Sequence, residues 1–381
     1  LPPGQFCPGS FCAPPGSCAK QEWLFGNCIF HDEISGAILI GMYKNMNGKQ
    51  RCLAVINGEK PDRIPVFPLL MFLPADRFGV PYKEYATNGS AMAQAQVLMT
   101  EMFDVDAVTG CSDAYRVSAD LGAKMAYPEN GTPFAEEPLI KSEADLKKLG
   151  KPDTSAKDSR MRDRTDGVAE MVRAVGEERL VLGWVDMPFA EACSVCGVSQ
   201  FMMMLYDNPS LAHRILEFLT GVVIDFAVMQ LETGAPMIGA GDASASLISV
   251  KMYREFALPY EKRIVDAVHG RGGRIKLHVC GNVTDFLSDM AAGGFDLVNV
   301  DHLVPFARAV DVFGTAGIAY KGNLHPTKDF AHANPSYCAA RARECIKDAQ
   351  GTRYMLSGGC EIPPDTPDEV FRAFCSVPKK R

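Results

Sequence analysis

Short apolar runs alternate with amphipathic runs from residue 64 to the end of this chain. That alternation restricts the possible folds more than any other feature. Eight runs read as buried parallel strands, being apolar and rich in β-branched or aromatic residues: 64–72, 105–111, 180–186, 237–242, 274–280, 295–301, 318–323 and 354–358. Helical runs lie between them at 209–233, 251–269, 283–292, 335–349 and 367–374, with an earlier one at 47–57. Several open on a cap and a proline, as in Asn208-Pro209 and Thr366-Pro367, and several close at glycine. Eight strands alternating with helices predict an α/β fold, specifically a (β/α)8 TIM barrel. An open doubly wound sheet is the alternative, but no glycine-rich dinucleotide fingerprint follows any strand. Residues 112–165 break the rhythm. They read as an insertion at the barrel mouth, with a hairpin-like excursion over 113–128 and a short helix over 141–150.

Residues 1–45 have a different composition. They are rich in Pro, Gly and Cys, carry no helical or strand period, and hold Cys7, Cys12, Cys18 and Cys28 at spacings unlike a zinc ribbon or knuckle. We expect a leader or upstream segment outside the fold, with the barrel over 46–381; the initial Leu1 suggests a missing or processed start. The other nine of the thirteen cysteines are scattered through apolar segments, as reduced thiols of a cytoplasmic protein would be. A net charge of −7, with no basic cluster beyond Lys379-Lys380-Arg381, argues against a nucleic-acid surface. No apolar run approaches the roughly 20 residues of a membrane span.

The chemistry concentrates at two strand ends. In R-I-K-L-H-V-C-G, residues 274–281, His278 and Cys280 are two apart on a strand and so share a face. In S-G-G-C-E, residues 357–361, Cys360 follows another strand. One imidazole and two thiolates suit tetrahedral Zn2+ and leave its fourth position open. The bland alternative is a chance pairing with a buried Cys360. In a barrel the active site lies at the C-terminal strand ends. There the sequence offers Asp106, Cys111, Asp186, Asp242, Asp301, His302, Asn323 and Glu361. Asp242 is a candidate fourth ligand, partner of His278 or substrate contact, against a role in capping the next turn. Glu191 is a weaker candidate for the same roles. His302 reads as a contact to substrate or to a ligand, or as an ordinary loop residue. The C-x-x-C of Cys193 and Cys196 reads as packing, as does the Met202–Met204 run in a helix core. His31, His213, His269, His325 and His332 read as surface or cap residues.

Zinc with two thiolates can hold a substrate sulfur as thiolate or polarise an ether oxygen, both methyl-transfer chemistries. Hydrolysis is a third possibility, with Asp242 or Glu191 as base.

From about residue 64 onward the chain resembles the uroporphyrinogen decarboxylase superfamily. It is most similar to the zinc-dependent, corrinoid-linked methyltransferases, such as the methylcobalamin:coenzyme M and O-demethylase enzymes. The resemblance rests on G-W-V-D-M-P-F-A-E-A at 183–192, G-D-A-S-A-S-L-I-S at 241–249, H-V-C-G-N at 278–282, K-G-N-L-H-P at 321–326 and L-S-G-G-C-E-I-P-P-D-T-P at 356–367. It implies a (β/α)8 barrel with zinc on His278, Cys280 and Cys360. It further implies transfer of a methyl group between a small substrate, a thiol or a methyl ether, and the cobalt of a corrinoid (methylcobalamin) carried by a corrinoid-binding partner protein. Under that reading Asp242, Glu191 and His302 serve catalysis, and Asp301 and Asn323 line the cofactor side of the mouth. Two departures stand out. The decarboxylases' Arg-Gln-Ala-Gly-Arg-Tyr signature is replaced by F-P-L-L-M-F-L-P-A-D-R, leaving only Arg77 nearby, and Asp186-Met187 stands where relatives often have Glu-Gly. Uroporphyrinogen decarboxylation and a non-catalytic zinc-binding barrel remain the alternatives.

Overall fold

The computed structural model describes residues 45–129 and 131–379. The expected leader with its four cysteines, apart from Asn45, lies outside the described residues, as do His31, Lys380 and Arg381. The strands are β1 (Ala107–Thr109), β2 (Met125–Ala126), β3 (Phe134–Ala135), β4 (Leu180–Asp186), β5 (Met237–Gly241), β6 (Arg274–Val279), β7 (Leu297–Val300), β8 (Ala319–Leu324) and β9 (Tyr354–Gly358). Seven of them form one parallel sheet in the order β1-β4-β5-β6-β7-β8-β9. Every residue of β4, β5, β7 and β9 is buried, which is why these strands read as unbroken apolar runs rather than alternating ones.

The expected first strand, 64–72, is not a strand. It makes two isolated parallel bridges to the β9 side, Val66 to Leu356 and Leu69 to Glu361. Pro65 and Pro68 have no N–H to donate, so a ladder cannot run through them. The segment still reaches both edges of the sheet. Phe67 N donates to Leu356 O at 2.9 Å, Leu356 N to Pro65 O at 2.8 Å, and Asp106 N, just before β1, to Val66 O at 2.9 Å. The architecture is therefore an α/β fold on a curled, seven-stranded parallel sheet, with an irregular segment bonded to each edge.

The helices follow their caps. Gly48–Asn57 starts in a reciprocal Asn47–Gln50 capping box and stops at Gly58 in the left-handed region. Pro209–Leu231 and Pro335–Asp348 are capped by Asn208 and Asn334 with proline in the first turn. The run expected at 251–269 is interrupted by a π-helical segment, Tyr253–Ala257, just before Pro259, which lacks the N–H that would continue the ladder. In the insertion, the excursion over 113–128 contains the helix Arg116–Asp120, and β2 then pairs antiparallel with β3. The short helix is Glu143–Leu146, capped by Ser142. The methionine run is core only in part: in Val198–Asp207, half-buried Met202 and Met204 pack against the core and Met203 is exposed. Three consecutive helical residues cover some 200° of arc and cannot all face inward. Among the described residues no single helix is long and apolar enough to cross a membrane.

Asp106 sits at the N-terminal end of β1, opposite the expected site, and ties the edges together. Its buried carboxylate accepts from Arg51 Nη1, from Arg63 Nη1 at 2.7 Å and Nη2 at 3.0 Å, and from Val66 N at 2.7 Å. Asp106→Ala removes this acceptor from Arg51, Arg63 and the Val66 amide, leaving Arg51 only Asp62 and the Met46 carbonyl and Arg63 only the Ile64 carbonyl. We expect it to destabilise the fold by about 3–5 kcal/mol, read as a lowered urea midpoint at unchanged slope; a midpoint within error of wild type would show that the edges do not depend on this carboxylate.

Candidate metal centre and its cavity

The strand register lines up the ends that matter. Asp186 pairs with Gly241, Gly241 with His278, and His278 with Asn299, so these residues lie in a row across four strands. After His278 the chain turns inward through Cys280 and Gly281. Gly281 has φ 95°, and a Cβ there would meet Ser246 Oγ at 2.9 Å, so the turn is glycine's. Cys360 arrives from the far side of the curled sheet, after β9. Gly359 lets it approach: a Cβ on that residue would lie 2.4 Å from His302 N and 3.0 Å from Asp301 C.

His278 Nε2 lies 3.1 Å from Cys280 Sγ and 3.5 Å from Cys360 Sγ, and the two sulfur atoms are 3.4 Å apart. Zn–S bonds of about 2.3 Å and Zn–N bonds of about 2.0 Å put tetrahedral donors roughly 3.5–3.8 Å from one another. The three atoms are thus within a few tenths of an ångström of a zinc face, and their soft and borderline character suits the same ion. His278 is buried, and its Nδ1 has no hydrogen-bond partner. The Cys280 thiol hydrogen-bonds to Cys360 and, with the His278 ring, pulls the Cys360 pKa down to about 3. The same sulfur–sulfur bond and burial hold the Cys280 proton far more firmly. One thiolate thus forms readily, and a cation is what would release the second proton. Below the cluster, inward-facing Lys276 packs over the Trp184 ring at 4.4 Å, its ammonium without a hydrogen-bond partner and its pKa lowered to about 8 by burial.

All three donors line a cavity of about 290 Å³. Leu69, Met71, Trp184 and Val198 give it apolar walls, and Asp113, Tyr115, Asp186 and Ser244 give it polar ones. Asp113 is the anchor of a buried cluster. Arg160 donates to it at 2.9 and 3.2 Å, Arg116 stands 3.5 Å away and Arg164 3.7 Å, and these cations hold its carboxyl well below the usual range despite its burial. Nη2 of Arg116 lies 3.7 Å from Asp186 Oδ2. Burial raises Asp186 to about 7, partly opposed by Arg116.

The remaining expected residues fall in two places, neither within the donor cluster. Asp242 and Glu191 are buried and not on the cavity wall. Asp242 N donates to His278 O at 2.9 Å, fixing the strand end. Burial and nearby Glu261 raise the Asp242 carboxyl well above the usual range, and Tyr253 donates to Glu261 at 2.6 Å. Burial next to Asp186 likewise raises Glu191. Asp301, His302 and Asn323 form the second group, beside the Cys360 loop. His302 Nδ1 is 3.0 Å from Asp301 Oδ1, its ring is 4.1 Å from that of His325, and Asn323 Nδ2 donates to Val304 O at 2.9 Å. His213 is half-buried, stacked on Phe256 and bonded to Tyr260, rather than a surface residue. Cys193 and Cys196 are buried in the helix Pro188–Cys196, their thiols raised to about 12 by burial, though Cys193 also reaches the cavity. Sequence reasoning missed Asp113, Tyr115 and the arginines. The Arg160–Arg164 spacing of four on one helix was the available signal.

Comparison with known proteins agrees with this architecture. The uroporphyrinogen decarboxylase (URO-D) family description matches residues 47–381. A uroporphyrinogen decarboxylase of Azoarcus sp. is 30% identical over 280 residues, covering 70% of this chain and 75% of the relative. One from Prochlorococcus marinus is 26% identical over 350 residues, covering 86% and 95%. Among solved structures, a methyltransferase from Methanosarcina mazei superposes with a TM-score of 0.79 at 25% identity, covering 87% of this chain and 98% of that one. With the match running from the first described helix to the last, this chain belongs to the uroporphyrinogen decarboxylase family.

Proposed function

We propose that the chain is a zinc-dependent methyltransferase that moves a methyl group between a small substrate, a thiol or a methyl ether, and the cobalt of a corrinoid carried by a partner protein. The observation that carries this reading is the convergence of His278, Cys280 and Cys360 on one point of a small cavity, at 3.1–3.5 Å from one another. Zinc held there would supply Lewis acidity toward a sulfur or oxygen atom. The chain does the rest: Trp184, Leu69 and Met71 exclude water, and the Asp113–Asp186 side offers polar contacts to the substrate. Asp301, His302 and Asn323 fit the corrinoid side, and Asp242 and Glu191 fit a supporting role behind the wall. Residues 64–72 take the place of an eighth strand in a (β/α)8 barrel. Nine unpaired cysteines among the described residues fit a reducing cytoplasm.

The names of the curated relatives favour a second reading, decarboxylation of uroporphyrinogen. The cavity argues against it. At about 290 Å³ it is at the small end for a ligand pocket, which favours a small substrate over a tetrapyrrole with eight carboxylates. Arg77 is committed elsewhere, to Asp368 at 2.7 Å and to Thr366 O at 2.7 Å.

The first test is metal content. Wild type purified with its thiols protected should carry about one zinc per chain, and Cys360→Ser should lose it with methyl transfer from methylcobalamin while keeping its far-UV spectrum; a metal-free wild type would sink the proposal. Gly359→Ala provides a subtler test. By forcing the Cys360 loop off the Asp301–His302 backbone, it should weaken zinc retention about 10–100-fold in chelator competition; unchanged retention would mean that the loop's close approach does not set the donor geometry.

A further inference from the structure

The row of strand ends places one acid opposite the three donors, across Gly241 and beside the Trp184 ring. Asp186, Gly241 and His278 are register partners on adjacent strands. Gly241 has no side chain, and a Cβ there would lie 2.9 Å from Asp186 Oδ1. Oδ1 therefore overhangs Gly241, on the side of His278, while Oδ2 faces Arg116. Asp186, Gly241 and the donors all line the same cavity.

A proton must move there if a thiol is methylated. The sulfur attacks as thiolate, so its proton has to go to a group within reach. We propose that Asp186 is the proton-transfer residue of this cavity, receiving at Oδ1 the proton that a substrate thiol gives up as its sulfur enters the His278–Cys280–Cys360 cluster. This rests on the methyltransferase reading. In the step the S–H bond breaks and an O–H bond forms on Asp186. The electron pair stays on sulfur, and nothing is oxidised or reduced.

The surroundings suit an acid that changes state. Arg116 favours the ionised carboxylate, while burial and the neighbouring Asp113 oppose it, leaving the group at about 7. Tyr115, Cys111 and Trp184 face it from the cavity wall, and Glu191 and Asp242 from behind. Burial and the neighbouring Asp186 also raise Glu191, with Arg116 opposing. A thiolate created in the cavity raises Asp186 further, which retains the proton until the sulfur has been methylated. Asp113 cannot substitute, since its three arginines keep it ionised.

The test counts protons. 2-Mercaptoethanol is titrated into the zinc enzyme in buffers of different ionisation enthalpy, and the heats give the protons released per thiol bound. For wild type we expect about half a proton or less at pH 8, where Asp186 is ionised and takes it up, rising towards one at pH 6, where Asp186 already holds a proton. Asp186→Asn should release about one proton at both pH values, and Asp186→Glu should restore the wild-type trend. The wild-type series decides the matter even if the asparagine variant fails to fold. Release of one proton at both pH values in wild type, or the same pH dependence in Asp186→Asn, overturns the assignment. If no thiol binds, by heat or by the spectrum of the cobalt-substituted enzyme, the methyltransferase reading itself fails, and this assignment with it.

Discussion

Curvature of the sheet is the constraint on which the candidate site depends. His278 and Cys280 leave β6, Cys360 leaves β9, and two strands lie between. In a flat sheet three steps of about 4.8 Å would hold those strand ends roughly 14 Å apart. The sulfur atoms are 3.4 Å apart. Parallel strands with their inherent twist, covered by helices on the outside, bring the ends together only if the sheet curls back on itself. The curl is held by the irregular segment around Val66, which hydrogen-bonds to β9 and to the start of β1, and by the Asp106 carboxylate that binds Arg51, Arg63 and Val66 N. This buried ion-pair group lies at the opposite end of the sheet from the chemistry, while a second one, Asp113 with Arg116, Arg160 and Arg164, stands at the cavity.

The site end is built on different principles. At the Asp106 end each buried charge has close partners. Around the cavity several do not: Lys276 Nζ, Arg116 Nη2, Glu191 Oε2, His278 Nδ1 and the Asp242 oxygens are buried without hydrogen bonds. Each unmet group costs stability. Of these groups only that of His278 belongs to the cavity wall itself. The cavity is asymmetric as well, with thiols and imidazole on one side and carboxyl and guanidinium groups on the other. The three donors thus stand at one end of the cavity and Asp186 at the other.

How much of this was legible in the sequence depended on the range of the interaction. His278 and Cys280 were visible as a pair because two residues on one strand share a face by local geometry. The helix at Asn208-Pro209 was visible because capping is local, whereas Thr366 does not cap the last helix, which starts at Asp368 after Pro367 with no side-chain cap. The strand expected at 64–72 failed on a local signal that was present but underweighted, since Pro65 and Pro68 each remove a ladder donor. Asp106 was placed at the wrong end because β1 is only three residues long and begins just after it. The methionine run looked like core throughout because apolar identity was read without helical arc. Asp113 and its arginines went unnoticed because nothing in the sequence places Arg116, Arg160 and Arg164 round one carboxylate.

By itself, then, the sequence determined the alternating α/β architecture, the capped helices, and the His278–Cys280 pair with Cys360 as its distant partner. These follow from periodicity, caps and residue chemistry, which act over a few positions. Only the tertiary structure decided that the sulfur atoms meet, that Asp186 rather than Asp242 or Glu191 faces the cavity, and that Gly241 and Gly359 leave the space this requires. Those outcomes depend on sheet curvature and inter-strand register, which are set by contacts between residues tens to hundreds of positions apart.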